Sequence, residues 1–219
     1  MSDPYRTIRH LAFFEALGSL EEGSADWHAT TAGLVVLRMV DAWYEEGAHV
    51  AAADAWGLNA VREAVAAMTA GDPARTILGG VVDAVAAAER ADFSVVATRL
   101  SAYGRALHFD AKWRLAADVY ETLLAYAHPI DESDVYINAS MQLGYCLRML
   151  GEFDQAAVAY ADAGRVATSM GDVAFANTSI GSPSSRLFWH TAAVAGSPGN
   201  CQFGVVLVMK GLPNDSASS

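Results

Sequence analysis

The amino-acid sequence predicts an all-α protein in which about eight helices form an array of antiparallel hairpins, followed by an irregular C-terminal tail. Hydrophobic residues make up 53% of the 219 residues and charged residues only 18%. Much of the hydrophobic fraction is alanine, which loses the least entropy on entering a helix. Apolar residues recur at helical spacing between short turns up to about residue 172, and no β pattern interrupts them.

The boundaries of the helices follow from turn and capping residues. Asp3-Pro4 and Asp72-Pro73 each combine an N-cap aspartate with a proline at the first helical position, and Gly47 and Gly151 end helices. The predicted helices cover about residues 4–20, 26–46, 50–69, 73–90, 94–109, 112–127, 135–150 and 153–170. Helices of this length joined by short turns pack as antiparallel hairpins.

The composition bounds the classes of partner and the compartment. The net charge is −11 and the pI is near 4.8, so we expect neither nucleic-acid binding nor docking on anionic membranes. No apolar stretch reaches the roughly 18–20 residues of a transmembrane helix, and the N-terminus lacks the apolar region of a signal peptide. Two cysteines are too few for a disulfide framework. We therefore predict a cytoplasmic protein.

No residue pattern indicates an active site. Six histidines are scattered along the chain: His10, His28, His49, His108, His128 and His190. None has metal-ligand spacing, and we predict a surface or capping role for each. Cys146 is predicted to be a small buried hydrophobic residue and not a nucleophile, and Gly79-Gly80 to allow close helix packing. We predict no catalytic residue, no metal site and no cofactor.

An internal repeat with an offset of 40 residues is the strongest signal. The matched features are a glycine after a large residue, an aromatic after the turn, an alanine pair and a tyrosine: Tyr103-Gly104, Trp113, Ala116-Ala117 and Tyr120 align with Leu143-Gly144, Phe153, Ala156-Ala157 and Tyr160. The glycine is predicted to let the two helices of a hairpin cross closely, and the tyrosine to pack toward the next hairpin. One hairpin could not bury all these groups, so stacking is required.

These residues, together with Leu150-Gly151 and Ala163, resemble the tetratricopeptide repeat. The likeness covers about residues 98–170, within a predicted helical-repeat domain of residues 1–172. The spacing exceeds the family's usual length of about 34 residues, and the acidic connector Asp131–Asp134 would be the insertion. The resemblance implies a right-handed α-solenoid.

The resemblance also implies a partner site, because the first helix of each tetratricopeptide hairpin lines a concave groove that holds peptides. In the two matching hairpins this face carries Thr98, Ser101, Arg105 and His108, aligned with Asn138, Met141, Tyr145 and Arg148. Arg105, His108 and Arg148 would give the groove a positive potential suited to an acidic or C-terminal peptide segment. The alternative is that these arginines pair with nearby Asp and Glu on the surface.

The sequence thus predicts a non-catalytic scaffold that binds a protein or peptide. One alternative is the sensor portion of a larger transcriptional or signalling regulator. Another is an enzyme in which the helical bundle encloses a small-molecule pocket.

The last segment, residues 173–219, differs from the rest in composition. Residues 175–219 hold three charged residues, Arg186, Lys210 and Asp215, and include a β-prone run, Phe203–Met209. Three explanations stay open: a linker, a β segment that packs on the helices, or a reading-frame error that replaced a capping helix. We favour the last, because a final hairpin without a polar cap is unfavourable.

Overall fold

The computed structural model describes residues 9–46, 57–87 and 93–170 of the chain. These residues form eight α-helices and no strand, which confirms the all-α prediction: α1 (Leu11–Ser19), α2 (Ala25–Glu46), α3 (Leu58–Ala66), α4 (Pro73–Ala87), α5 (Phe93–Phe109), α6 (Trp113–Tyr126), α7 (Ser133–Met149) and α8 (Phe153–Ser169). The Asp3-Pro4 start and the tail from residue 173 lie outside the described residues.

Two predicted helices are shorter than expected because residues with positive φ precede them. His10 adopts φ 61°, so α1 begins at Leu11 and the prediction of one helix over 4–20 is wrong at this point. Gly57 adopts φ 60° before α3, so a continuous helix over 50–69 is also wrong. A left-handed residue cannot continue a right-handed helix. The boundaries of α2 and of α5 to α8 agree with the prediction to within about two residues.

The helices pack in chain order, as expected for hairpins. The two helices of each hairpin contact each other, and the contacts α2–α3, α4–α5 and α6–α7 connect one hairpin to the next. Four further contacts among the described helices leave this series: α2–α4 and α5–α7 join helices two apart, and α1 and α2 both also pack on α6. The backbone N–H of Ala12 in α1 donates to Asp118 Oδ2 in α6 at 3.0 Å. The first hairpin is therefore held against the third.

The internal repeat reappears as a repeated contact between a glycine and a tyrosine. A Cβ atom on Gly104 would lie 2.8 Å from Tyr120 Cζ, and one on Gly144 would lie 2.7 Å from Tyr160 Cε1. Each tyrosine ring thus fills the space opposite the glycine of its own hairpin. The prediction that the tyrosine packs toward the next hairpin did not include this contact within its own hairpin. The close helix crossing depends on both members of the pair.

The other helical glycines differ in their surroundings. A Cβ on Gly33 in α2 would clash with the hydroxyl of Tyr103 and would lie 2.7 Å from Phe13 Cε1. The absence of a side chain at Gly33 therefore allows α1 and α5 to pack closely on α2. A Cβ on Gly80 would meet the side chain of Arg99 at 3.2 Å, whereas nothing lies within 4 Å of one on Gly79. Close packing therefore explains Gly80 only, and the prediction for Gly79 is wrong.

Candidate functional site

The first half of the predicted partner site lies on α5. Thr98 and Arg105 are exposed, while Ser101 and His108 are half-buried. The Thr98 hydroxyl donates to the carbonyl of Ser94 at 2.8 Å, and Arg105 Nη1 donates to Ser101 Oγ at 3.3 Å. Both hydrogen bonds run along the helix, so the outer face of α5 keeps its polar groups accessible.

The second half lies on α7 and is less uniform. Asn138 is exposed, and Tyr145 and Arg148 are half-buried. Met141 packs against a small apolar cluster that α7 and α8 form around Ile137 and Ala163. Met141 is thus partly a packing residue between these two helices, which its place in the predicted groove did not indicate.

Side chains from three helices meet where α5 and α7 come together. The imidazole of His108 stacks on the ring of Tyr145, with centroids 4.6 Å apart and planes inclined by 16°. Trp113, the first residue of α6, contacts His108 edge to face at 4.8 Å and Tyr145 at 5.8 Å. The guanidinium carbon of Arg148 lies 5.0 Å from the centroid of Tyr145. We call these four residues the α5–α7 junction.

The junction changes the expected charge of the surface. Burial lowers the pKa of His108 below its ordinary value of 6.5, so its imidazole is neutral at pH 7. The prediction that His108 adds positive potential is therefore wrong. Arg105 and Arg148 carry the positive charge. Among the described residues no carboxylate lies within 4 Å of the Arg105 guanidinium, so the predicted alternative of local ion pairing does not apply to Arg105.

A second polar cluster, which the sequence did not predict, joins the start of α1 to α2 and α6. His10 is only 5% exposed, and its Nε2 lies 2.8 Å from Asp41 Oδ2. Arg9 Nη2 lies 2.9 Å from Asp41 Oδ1, and Arg9 Nη1 donates to the Tyr126 hydroxyl at 2.6 Å. The Tyr126 hydroxyl in turn donates to Asp41 Oδ1 at 2.9 Å. His10 occupies the N-cap position of α1, as a capping role predicts, but its ring is buried and makes no capping hydrogen bond, so a surface role is wrong.

The chemistry of this cluster is constrained by burial. Thr122 Oγ1 lies 3.5 Å from His10 Nδ1, so Thr122, His10 and Asp41 stand in the order of a nucleophile, a base and an orienting carboxylate. However, Thr122 is 1% exposed and donates its hydroxyl hydrogen to the Asp118 carbonyl at 2.9 Å. A substrate could not reach this hydroxyl without opening the α1–α6 contact. The cluster therefore ties three helices together.

Two open clefts lie outside the predicted partner site, and the first of them shares Trp113 with the α5–α7 junction. One, of about 560 Å³, runs between α1 and the start of α6 and has charged groups of both signs, Glu15 and Asp26 facing Lys112 and Arg114. The other, of about 490 Å³, lies between α3 and α4. Neither includes any of the eight predicted site residues. Their mixed charge favours no particular class of ligand.

Within 9–46, 57–87 and 93–170, no three His, Cys, Asp or Glu side chains are close enough to hold a metal ion. None of the helices in these ranges combines the length and apolarity of a membrane-spanning segment. The chain matches no family model, no curated protein and no solved structure.

Proposed function

We propose that this chain is a non-catalytic helical-repeat scaffold, similar to tetratricopeptide proteins, that binds a peptide or protein segment across the outer faces of α5 and α7. The observation that carries the proposal is the α5–α7 junction. His108 and Tyr145, which lie on successive first helices of the repeat, are stacked in one surface, with Trp113 behind them and Arg148 over the tyrosine. A segment lying across this junction would contact both hairpins.

The residues around the junction have the character of a recognition surface. Half-buried aromatic and arginine side chains are the groups on which binding energy concentrates at interfaces. Exposed Thr98, Arg105 and Asn138, which precede the junction along α5 and α7, add hydrogen-bonding groups on the same two helices. The stacked rings are already held by packing, so little side-chain entropy would be lost on binding.

The charge of the surface favours an acidic segment or a free C-terminal carboxylate. The chain as a whole carries a net charge of −11, yet the predicted site holds Arg105 and Arg148 and no Asp or Glu. Within the part of the chain that the structure describes, the guanidinium of Arg105 is engaged only by a long hydrogen bond to Ser101 Oγ, which a carboxylate could replace with two charge-assisted bonds. A carboxylate would thus be recognised against a generally repulsive background, which favours specificity.

The test is a charge reversal at Arg105 with a matched control. Partners are captured with the full chain from its native host, identified by mass spectrometry, and their binding segment is synthesised with a free C-terminus and with a C-terminal amide. Arg105→Glu should weaken binding by roughly 2- to 30-fold, since an attraction of about 0.2–1 kcal/mol becomes a similar repulsion. Arg38→Glu, a charge reversal at another exposed arginine, on α2, should leave binding unchanged.

The outcomes separate the parts of the proposal. A loss of affinity confined to Arg105→Glu supports the α5–α7 surface, and weaker binding of the amidated peptide supports recognition of a terminal carboxylate. Equal binding by wild type and Arg105→Glu would rule this surface out. Equal losses of affinity in Arg105→Glu and Arg38→Glu would mean that the change in overall charge, and not this surface, causes the effect.

A further inference from the structure

The two repeats differ in what covers their second helix. In the first, α6 packs on the helix that follows it, α7. Trp113 at the start of α6 is half-buried there and contacts Tyr145 of α7 at 5.8 Å, and Ala117 is 7% exposed. The equivalent residues of α8 are Phe153, which is 67% exposed, and Ala157, which is also exposed. Equivalent positions on α6 and α8 therefore form a similar docking face, and among the described residues only the one on α6 is covered.

The uncovered face is apolar over the first half of α8, up to Ala161, and the next residue at the same spacing is the exposed Arg165. Phe153, Ala157 and Ala161 follow one another at four-residue spacing, and Val158, 62% exposed, lies beside them. Two alanines allow another element to approach closely, and Phe153 supplies an aromatic ring at one end, as Trp113 does on α6. We call this surface the α8 face.

We propose that residues 171–219 of this chain cover the α8 face and close the helical array. This proposal takes the tail as a segment that packs on the helices, in place of the reading-frame error favoured from the sequence alone. This inference does not depend on the partner surface of α5 and α7. The segment follows α8 directly, as the connection to α7 follows α6, and 49 residues are enough to return along α8, which is about 25 Å long. It also matches the face chemically, because residues 175–219 include only three charged residues.

The size of the face decides between this segment and a second copy of the chain. The apolar strip from Phe153 to Ala161 is about 12 Å long and about 10 Å wide, so it buries only about 100–200 Å² per molecule. Stable association of two proteins needs about 800 Å² on each partner. A covalently attached segment faces no such threshold, because its effective concentration at the face is in the millimolar range. The area available is thus sufficient for docking within one chain and small for a dimer.

The test uses hydrogen exchange of the full chain. Phe153→Asp places a charge on the α8 face at the first residue of a helix, where the macrodipole favours an acidic side chain and offsets the repulsion from Glu152 and Asp154. Val95→Asp makes the same change in the first turn of α5, at a valine that is 50% exposed. We expect amides within 171–219 to exchange about tenfold faster in Phe153→Asp than in wild type. The exchange rates of these amides should be the same as in wild type both in Val95→Asp and in Phe153→Trp, which reproduces the aromatic side chain of Trp113.

Three results would overturn the proposal. The first is exchange of residues 171–219 at the rate of a free peptide in wild type. The second is equal exchange of that segment in wild type and Phe153→Asp. The third, measured by sedimentation velocity on the same samples, is a wild-type dimer that Phe153→Asp dissociates, since a second copy would then be the occupant of the α8 face.

Discussion

Replacing Gly104 by alanine measures how much stability depends on the contact between the glycine and the tyrosine of each repeat. Two opposing effects are expected. Alanine is more favourable than glycine within a helix by about 0.8–1 kcal/mol. Against this, the new Cβ would lie 2.8 Å from Cζ and 3.0 Å from Cε1 of Tyr120, a ring with no exposed surface and no room to withdraw. Overpacking of this kind costs about 1–3 kcal/mol.

The matched control is Gly79→Ala, because Gly79 is also inside a helix but nothing lies within 4 Å of its added Cβ. We expect Gly79→Ala to raise the free energy of unfolding by about 0.8–1 kcal/mol and Gly104→Ala to lower it by up to about 2 kcal/mol. Gly144→Ala should cost less than Gly104→Ala, because its tyrosine, Tyr160, is only half-buried and can shift outward.

The assay is urea unfolding followed by far-UV circular dichroism, with thermal midpoints as a second measure. For a chain of this size the difference of about 1–3 kcal/mol corresponds to midpoints roughly 2–12 °C apart. In a Tyr160→Ala background the ring is absent, so Gly144→Ala should become stabilising. If Gly104→Ala is as stable as Gly79→Ala, the repeated contact does not hold the hairpins together.

Three further predictions follow from buried or half-buried polar groups. Asp41→Ala removes the shared partner of Arg9 and His10, so we expect the free energy of unfolding measured in urea to fall by about 2–4 kcal/mol. A loss below about 1 kcal/mol would show that the polar cluster around Asp41 contributes little to stability. Burial raises the pKa of Cys146 to about 12, while the unfolded thiol ionises near 9.0. The unfolded state therefore loses its thiol proton first, and the free energy of unfolding should decline between about pH 9 and 12. The decline should be less steep in Cys146→Ala. An identical decline in both proteins would contradict the raised pKa of Cys146. Burial lowers the pKa of His108 below 6.5, so an NMR titration of its ring should show a midpoint below that value. The free energy of unfolding should fall as the pH drops from 6.5, because the unfolded chain takes up the proton first. A midpoint at or above 6.5 would contradict the burial of His108 in the α5–α7 junction.

Local patterns in the sequence account for the helices and for the repeat. The ends of α2 and of α5 to α8 were predictable because capping residues, turn glycines and apolar spacing act within a few residues of one another. The offset of 40 residues between Gly104 and Gly144 predicted two equivalent hairpins, and both place a tyrosine on the glycine. The eight residues proposed to bind a partner lie on α5 and α7 as expected, although Met141 is partly used in packing.

Other features depend on partners that are distant in the sequence. His10 is 31 residues from Asp41 and 112 from Thr122, so no spacing rule could identify their contact or the positive φ that interrupts the predicted first helix. The neutral charge of His108 at pH 7 follows from its position between Trp113 and Tyr145, which local periodicity does not specify.

The sequence by itself determined that this chain forms helical hairpins, because helix formation and capping are governed by neighbouring residues. Only the tertiary structure decided which faces are covered. Adjacent Gly79 and Gly80 have the same local context, yet one is open and the other lies under Arg99. Trp113 and Phe153 occupy equivalent positions, yet one is half-buried against α7 and the other is 67% exposed. Burial depends on which helix arrives at a face, and that is settled by packing across the whole molecule.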